Sequence, residues 1–469
     1  QRGSADIAAY FLLQSHQSLR TMGCSGFVTT SSIAEGNTRD VGLANIFASG
    51  ATIIRASVKE DWPGSANVTY CPICLIKGKS SGEVILNGNP VPRISPSLEI
   101  LEGLTEDRPF ALISNNNITF QGSIVLGMGF IISKREVDEL LKQDPKYSDV
   151  IYPYITGKDI NGRWDFFSDS YAINFFDWPL DRTTNEGSIS KYTAADYPLA
   201  LKVVEENVKP ERTRVDENGN YVLRRPLPQK WWIYGEKRPA LYSQLRTLKW
   251  SMCVATAATK YLAFAIISRP VVFSHSLSIV ASDSYQTFSC LNSSIHDAWA
   301  RKYSSSNLLL IRYTPTTSLM TFPFPQDLSL LHEVGERFHN LRSSIMKERR
   351  EGFVDIYNHI HNNNDKSTDI SELRILQIDM DHTVSLAYGW TDLDLGHGFH
   401  ETKQGIRFTI SETARKIVLE RLLALNHERY EEEVKAGLHE KKGTKGSGKG
   451  RKKKSPPDKK EDQYDFFEE

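Results

Sequence analysis

The sequence predicts an incomplete α/β sheet unit, then an α+β unit, then an α-helical region that runs out into a disordered charged tail. Three observations lead there. Helix-like and strand-like runs alternate over residues 4–77, strand-like runs and short helices mix over 151–326, and from Leu328 onward apolar residues keep a three-four spacing. With 469 residues, 40% of them hydrophobic, the chain can bury several cores, and a prior of about 150 residues per domain gives roughly three units.

Residues 4–22 read as a helix, with Asp6 in its first turn, Ala8, Phe11, Leu12, Ser15 and Leu19 at helical spacing, and Gly23 to end it. A short apolar run follows at 26–30, then a polar loop at 31–40, a short helix through Phe47, a strand at 51–57 and a longer strand, "VTYCPICLI". This is the tail of a doubly wound sheet without its beginning. Cys71 and Cys74 form a C-x-x-C, but on a strand residues three apart face opposite sides, and no second pair stands near. Two buried thiols are therefore expected, and no metal. Five scattered cysteines fit a reducing cytoplasm better than a disulfide framework, and no run approaches the roughly 18 apolar residues of a membrane span. The chain opens on Gln1 and is in an amphipathic pattern by Ala5, which reads as a piece of a longer polypeptide.

Residues 80–150 read as a connector. It holds a proline-rich string, "NGNPVPRISPS", an alternating stretch at 118–133 whose glycines suit close backbone approach, and a short helix at 134–145 stopped by Pro145.

The centre of the chain is set apart by charge. Residues 202–269 carry 13 Lys+Arg against 6 Asp+Glu and eight aromatics, in a chain whose net charge is zero. Local excess positive charge interleaved with flat rings suits a nucleic-acid partner. Within "KPERTRV" and "WWIYGEKRP" and their surroundings the candidates for DNA contact are Lys209, Arg212, Arg214, Lys230, Trp231, Lys237, Arg238, Lys260 and Arg312. Trp231 and Trp232, read as strand neighbours, are expected to face opposite ways, one core and one surface. For any single cation the alternative is an ordinary solvated charge or an ion pair with a neighbour such as Glu211 or Glu236.

Leu331, Val334, Phe338, Leu341 and Ile345 form one helical stripe, and Leu373, Leu376, Met380, Val384 and Ala387 a second. Ser411 is a plausible N-cap for a third helix carrying Ile417, Val418, Leu422 and Leu425. A small bundle packed on the preceding unit is expected. Asp394, His397, His400 and Glu401 in "DLGHGFHE" invite a metal reading, but Gly396 and Gly398 argue for a loop with ordinary histidines, and no metal is expected. From Gly437 the composition is that of a disordered tail: residues 437–460 hold ten Lys+Arg against two Asp+Glu, with no apolar residue after Leu438.

Several strings, in consistent order, resemble one family. "RGSADIAAYFLLQSHQSL", "GFVTTSSIAEGNTRDVGL" and "DWPGSANVTYCPICLIKG" are similar to the second half of the catalytic domain in the large adenine-specific DNA methyltransferases of fused restriction-modification type, the MmeI-like and type IIG group. "YPYITGKDI", "INFFDWPL", "KPERTR", "WWIYGEKRPALY", "TKYLAF", "WARKYSSS" and "RYTPTTSLMTFPFP" resemble that family's target-recognition domain, as does "YGWTDLDLGHGFHETKQGIRFTIS". The resemblance implies a partial Rossmann-like methyltransferase sheet over 1–79, a connector over 80–150, a target-recognition domain over 151–326, a helical domain over 327–436 and the tail over 437–469.

The family's glycine-rich loop for S-adenosyl-L-methionine and its Asn/Asp-Pro-Pro-Tyr/Phe loop are both missing; the nearest string is Asn89-Pro90-Val91-Pro92. The resemblance therefore implies that the donor pocket lies on an N-terminal half outside this chain, and that the chain is inactive alone. One pocket element matches. The family's aromatic-proline loop, which stacks on a flipped adenine, corresponds to Trp62 and Pro63, where the bland alternative is a loop tryptophan packed on its own sheet edge. The expected function is thus part of a cytoplasmic, site-specific adenine methyltransferase acting on double-stranded DNA. The alternatives are a non-catalytic recognition subunit serving a separate methyltransferase or nuclease, and a remnant whose unfinished sheet exposes an apolar face.

Overall fold

The structure is a computed structural model that describes residues 5–58, 60–63, 69–80, 82–100, 108–167, 169–183, 191–256, 259–307 and 310–439. The charged tail lies outside the described residues from 440 onward.

Helix α1 (Ile7–Ser18) is shorter than the apolar pattern, because Asp6 is its N-cap and accepts from the Ala8 amide at 2.9 Å. Strand β1 (Cys24–Thr29), helices α2 (Gly36–Val41) and α3 (Leu43–Ala48), and strands β2 (Thr52–Ala56), β3 (Glu60–Asp61) and β4 (Thr69–Ile76) follow. The stretch 31–40, expected as a loop, winds into a 3-10 turn and α2. A polar contact fixes it: the Thr38 hydroxyl accepts from the Asp6 amide at 3.1 Å.

β4 lies between β1 and β2 and runs antiparallel to both. β2 pairs in parallel with β5 (Val84–Leu86), and β5 forms a hairpin with β6 (Asn89–Val91). The string read as a plain connector opens in this hairpin, because Asn87 and Gly88, at φ +52° and +80°, supply the two left-handed residues that a tight turn needs. Alternation along β4 puts Cys71, Ile73 and Leu75 in the core with Ala9 and Leu12 of α1 and Leu43 and Ile46 of α3, while Cys74 faces the other way. On the outside, Val28 of the edge strand β1 and Ile7 and Phe11 of α1 are exposed.

Strands β7 (Thr119–Gln121) and β8 (Ile131–Ser133), helix α4 (Lys134–Gln143), strand β9 (Ile151–Ile155), helix α5 (Gly157–Gly162) and strand β10 (Ser170–Ile173) come next. Ser133 with Glu136 and Thr156 with Asp159 make full capping boxes for α4 and α5. Helices α6 (Pro198–Asn207), α7 (Lys209–Arg212) and α8 (Pro239–Leu245) precede strands β11 (Ser251–Ala255), β12 (Ala265–Ile267), β13 (Val272–Phe273) and β14 (Leu277–Val280). After these stand α9 (Tyr285–Asn292), α10 (Ser294–Tyr303), the hairpin β15 (Ser305–Asn307) and β16 (Leu310–Arg312), and α11 (Pro315–Ser318).

Two four-stranded sheets result, ordered β13-β9-β10-β8 and β12-β11-β14-β7. β7 and β8 fall in the stretch expected as a connector, yet each completes one of these sheets. Gly122 shows why that stretch needs glycine: a Cβ there would lie 2.1 Å from the Ser274 carbonyl oxygen.

The chain ends in α12 (Leu331–Arg349), α13 (Phe353–Ile360), α14 (Thr368–Ala387), the hairpin β17 (Gly398–Thr402) and β18 (Gly405–Thr409), and α15 (Glu412–Lys435), which Ser411 caps through the Ala414 amide. The first two stripes read from the sequence lie on α12 and α14. The two helices pack on each other and share one core with the second sheet: Phe338, Ile345, Leu373 and Met380 pack with Met252 and Val254 of β11 and Leu277 of β14. α15 belongs to a neighbouring core, where Val418 and Leu422 meet Trp299 and Phe322.

A strap, residues 108–116, lies along α15. Asn426 exchanges two hydrogen bonds of 2.8 Å with the backbone of Phe110, whose ring stacks on Tyr430 at 4.1 Å. Glu433 accepts from the Ile113 and Ser114 amides at 2.9 and 3.1 Å, and Asn115 donates to the Leu319 and Phe322 carbonyls at 3.0 and 2.8 Å.

Three buried arginines join elements through backbone carbonyls. Arg212, only 1% exposed, donates from Nε to Leu126, from Nη1 to Ile233 and from Nη2 to Val125 and Leu126, at 2.6–3.0 Å. Burial pulls its guanidinium down to about 10, so it stays charged at neutral pH. Arg342 donates to Phe264 O at 2.6 Å and to Asn292 and Tyr357 at 3.1 Å each. Arg374 donates to the carbonyls of His359, Ile360, Asn362 and Asp365 at 2.8–2.9 Å, closing the C-terminal end of α13.

Two predictions follow from this packing. Arg212→Ala strands the Val125, Leu126 and Ile233 carbonyls and should cost about 3–5 kcal/mol in denaturant unfolding; a loss below about 1 kcal/mol would mean that those contacts are incidental. Burial holds His296 down at about 3, and burial with nearby Arg342 holds His339 at about 4, against about 6.5 in an unfolded chain. Both are neutral when folded, so their stabilisation is complete above pH ~6.5 and declines as pH falls toward 4. The unfolding midpoint should drop over that window, and His296→Gln with His339→Gln should flatten the drop; a pH profile unchanged by the double substitution would contradict the assignment.

Candidate nucleic-acid interface

The basic centre is a shaped surface. After α7 the chain makes a finger: Val222 N donates to Arg214 O at 3.0 Å, and Val215 bridges Tyr221. At its tip the Asp216 carboxylate accepts from the Asn218 and Asn220 amides at 2.9 Å each, and Gly219 takes φ +78°. Arg214, Val215, Tyr221, Val222, Arg224, Arg225 and Lys230 are all exposed on this finger and its return. Arginine and lysine beside an exposed aromatic ring can meet both the phosphates and the groove edges of a duplex. Asp216 and Glu217 leave the tip itself acidic.

The nine predicted contact residues divide three ways. Arg214, Lys230, Lys260 and Arg312 are exposed. Among the described residues Arg214, Lys230 and Arg312 have no ion-pair partner, and Lys260 Nζ donates to Asn358 Oδ1 at 2.7 Å. Lys209, Lys237 and Arg238 are partly buried and paired: Lys209 with Glu205 at 2.7 Å, Lys237 with Asp177, and Arg238 with Glu236 at 2.7 Å and Gln121 at 2.9 Å.

Arg212 and Trp231 are corrections. Arg212 is buried and its donors are engaged by carbonyls, so it cannot reach a ligand from this position. Trp231 and Trp232 are each 7% exposed and sit in one core, rather than one in and one out. The reason is local: residues 226–233 are turns, not a strand, so the alternation assumed for them does not apply. Trp232 donates from its indole to Trp178 O at 2.9 Å, and Lys209 lies 4.9 Å over the Trp231 ring.

Trp62 is 46% exposed, just after β3, and meets Tyr70 of β4 edge-to-face at 5.4 Å. One edge of its surroundings is thus its own sheet, and the side chain is about half exposed. Residues 64–68, the remainder of that loop, lie outside the described residues. The residues present do not fit S-adenosyl-L-methionine: Asn89 and Pro90 belong to the β5–β6 hairpin, and no glycine-rich turn joins a strand to a helix among the described residues of this unit. His397 and His400 have protein partners, His397 with Asp381 at 2.9 Å and His400 with the Gly396 carbonyl at 2.8 Å. His400 and Glu401 lie on β17, not in the loop expected for them.

Sequence reasoning passed over Arg224 and Arg225 as individual candidates, although both contributed to the charge excess that marked the region. No helix among the described residues is long and apolar enough to cross a membrane.

No protein-family model and no curated protein matches the chain. Among solved structures, the chain is similar to the type IIL restriction-modification enzyme MmeI in complex with DNA, with a TM-score of 0.63 and 16% identity over 92% of this chain and 54% of that one. Against the type IIG restriction endonuclease BpuSI the TM-score is 0.29 at 12% identity, over 82% of this chain and 50% of that one, too slight a likeness to reason from. The chain spans about half the length of either enzyme. Over 92% of the chain, the fold is one found in a restriction-modification enzyme.

Proposed function

We propose that this chain is the target-recognition part of a site-specific adenine DNA methyltransferase of a restriction-modification or phage-defence system. The observation that carries the reading is the fold likeness over 92% of the chain, which takes in the first sheet as well as the basic centre. A recognition module alone would not need that first sheet. In this reading the finger and the exposed cations Arg214, Lys230, Lys260 and Arg312 meet duplex DNA, phosphates fixing position and base edges fixing sequence. Trp62 offers a half-exposed ring to an extruded adenine, offsetting an unstacking cost of a few kcal/mol. The donor pocket for S-adenosyl-L-methionine is supplied by protein outside these residues, and Ile7, Phe11 and Val28 are exposed apolar side chains for that protein to cover. No methyl-transfer step is assigned to residues of this chain.

A second reading, a recognition subunit without chemistry of its own, is favoured by one specific observation: the string nearest to the catalytic loop is a β-hairpin.

Binding of the full chain to random and adenine-containing duplexes across a salt series tests the proposal. A log-log slope of about −0.9 per phosphate contacted is expected, reduced in magnitude by about 0.9 in Arg214→Gln, Lys230→Gln or Arg312→Gln where that residue meets a phosphate. Labelled S-adenosyl-L-methionine should transfer no methyl group with this chain alone. Absence of salt-dependent binding would sink the recognition role.

A further inference from the structure

A fourth buried arginine differs from the other three. Arg407 of β18 is 7% exposed, yet it makes no hydrogen bond or ion pair with any described residue. Its guanidinium nitrogens keep access to solvent, so the donors of a largely buried side chain remain open to a ligand. Its protein contact is instead the face of Tyr261, with the guanidinium carbon 4.4 Å from the ring centre.

The surroundings add positive charge. Lys260 Nζ stands 5.1 Å from the centre of the same ring, and the His361 ring stacks on it at 5.0 Å. Arg301 of α10 and Arg374 of α14 are close enough to act on His361, which burial and then Arg407, Arg301, Lys260 and Arg374 push well below its ordinary value. His361 Nδ1 accepts from the Phe408 amide at 3.1 Å, which leaves its neutral ring with a proton on Nε2 and no partner for it among the described residues. The carboxylate that acts on Arg407, Asp297, already accepts from Arg301 Nε at 2.7 Å. Three elements far apart in sequence thus bring donors to Tyr261, where Asn358 Oδ1 accepts from Lys260 and from the Tyr261 hydroxyl and Asp297 Oδ2 accepts from Arg301.

We propose that Arg407, Lys260 and the Nε2–H of His361 form a binding site for a phosphate group. A guanidinium offers paired N–H donors to phosphate oxygens, and partial burial strengthens each charge-assisted bond. The phosphate belongs either to the backbone of duplex DNA or to a free phosphate-bearing molecule. The first source rests on the function proposed above; the site itself does not.

The test uses the full chain, with inorganic phosphate and a short duplex as separate probes. Phosphate should raise the thermal unfolding midpoint above that in chloride at matched ionic strength, and Arg407→Gln and the exposed Lys260→Gln should each abolish that rise. If both variants also reduce the magnitude of the DNA log-log slope by about 0.9, the phosphate is that of the duplex. If the slope is unchanged while the phosphate response is lost, the site takes a free ligand. A phosphate response with no DNA binding at all upholds the site and defeats the proposed function. Equal midpoints in phosphate and chloride for the wild type, with DNA slopes unchanged in both variants, would overturn the site and leave Arg407 as a packing group on Tyr261. Should Arg407→Gln fail to fold, Lys260→Gln and Arg407→Lys decide, the latter retaining charge but losing the paired donors.

Discussion

The fold depends on guanidinium groups taken out of water. Arg212, Arg342 and Arg374 carry their charge and N–H donors into the core, and the backbone around each presents carbonyls to them. Arg212 gathers the carbonyls of two loops, at 125–126 and 233, onto α7. Arg342 holds the Phe264 carbonyl, before β12, against α12 and α13, among the rings of Phe288, Phe338 and Phe353. Arg374 closes α13 against α14. Apolar contact brings these elements together without direction, whereas each guanidinium fixes which carbonyls meet and at what angle.

Local signals in the sequence carried much of the secondary structure. Side-chain caps are chemistry of one turn, so Ser411 could mark a helix start without knowledge of the rest, while the caps at Ser133 and Thr156 emerged only with the fold. Period-two burial along Thr69–Ile76 put Cys71 and Cys74 on opposite sides, as their spacing requires. Where the outcome depended on a distant partner, the sequence was silent. Nothing local says that Thr119–Gln121 pairs with Ser278–Val280, or that α12 and α14 share their core with β11 and β14. The hairpin at Asn87-Gly88 was different: its turn signal was present and was outweighed by the prolines beside it.

The interface shows the same division. Excess positive charge over 202–269 is a property of composition and could be counted. Whether a given cation faces water depends on what stands opposite it. Arg212 and Arg214 are two residues apart, equally basic and equally placed in the string "KPERTRV", yet one is a structural staple and the other is open. Arg407 gave the opposite error: it lay in a C-terminal string noted for its histidines, and only the fold brought it to Tyr261 and Lys260.

The strap at 108–116 bears on how the chain is made. Its partners Asn426, Tyr430 and Glu433 lie more than 300 positions later, so a ribosome must make all of that stretch before the strap has anything to dock against. Closing so long a loop costs only a few kcal/mol in entropy, but it imposes an order. The first sheet and the basic centre can settle as each emerges, whereas the seam between them and α15 is sealed last. A chain that stalls before α15 would therefore carry finished domains with an open seam, and that is the form quality-control proteases would meet.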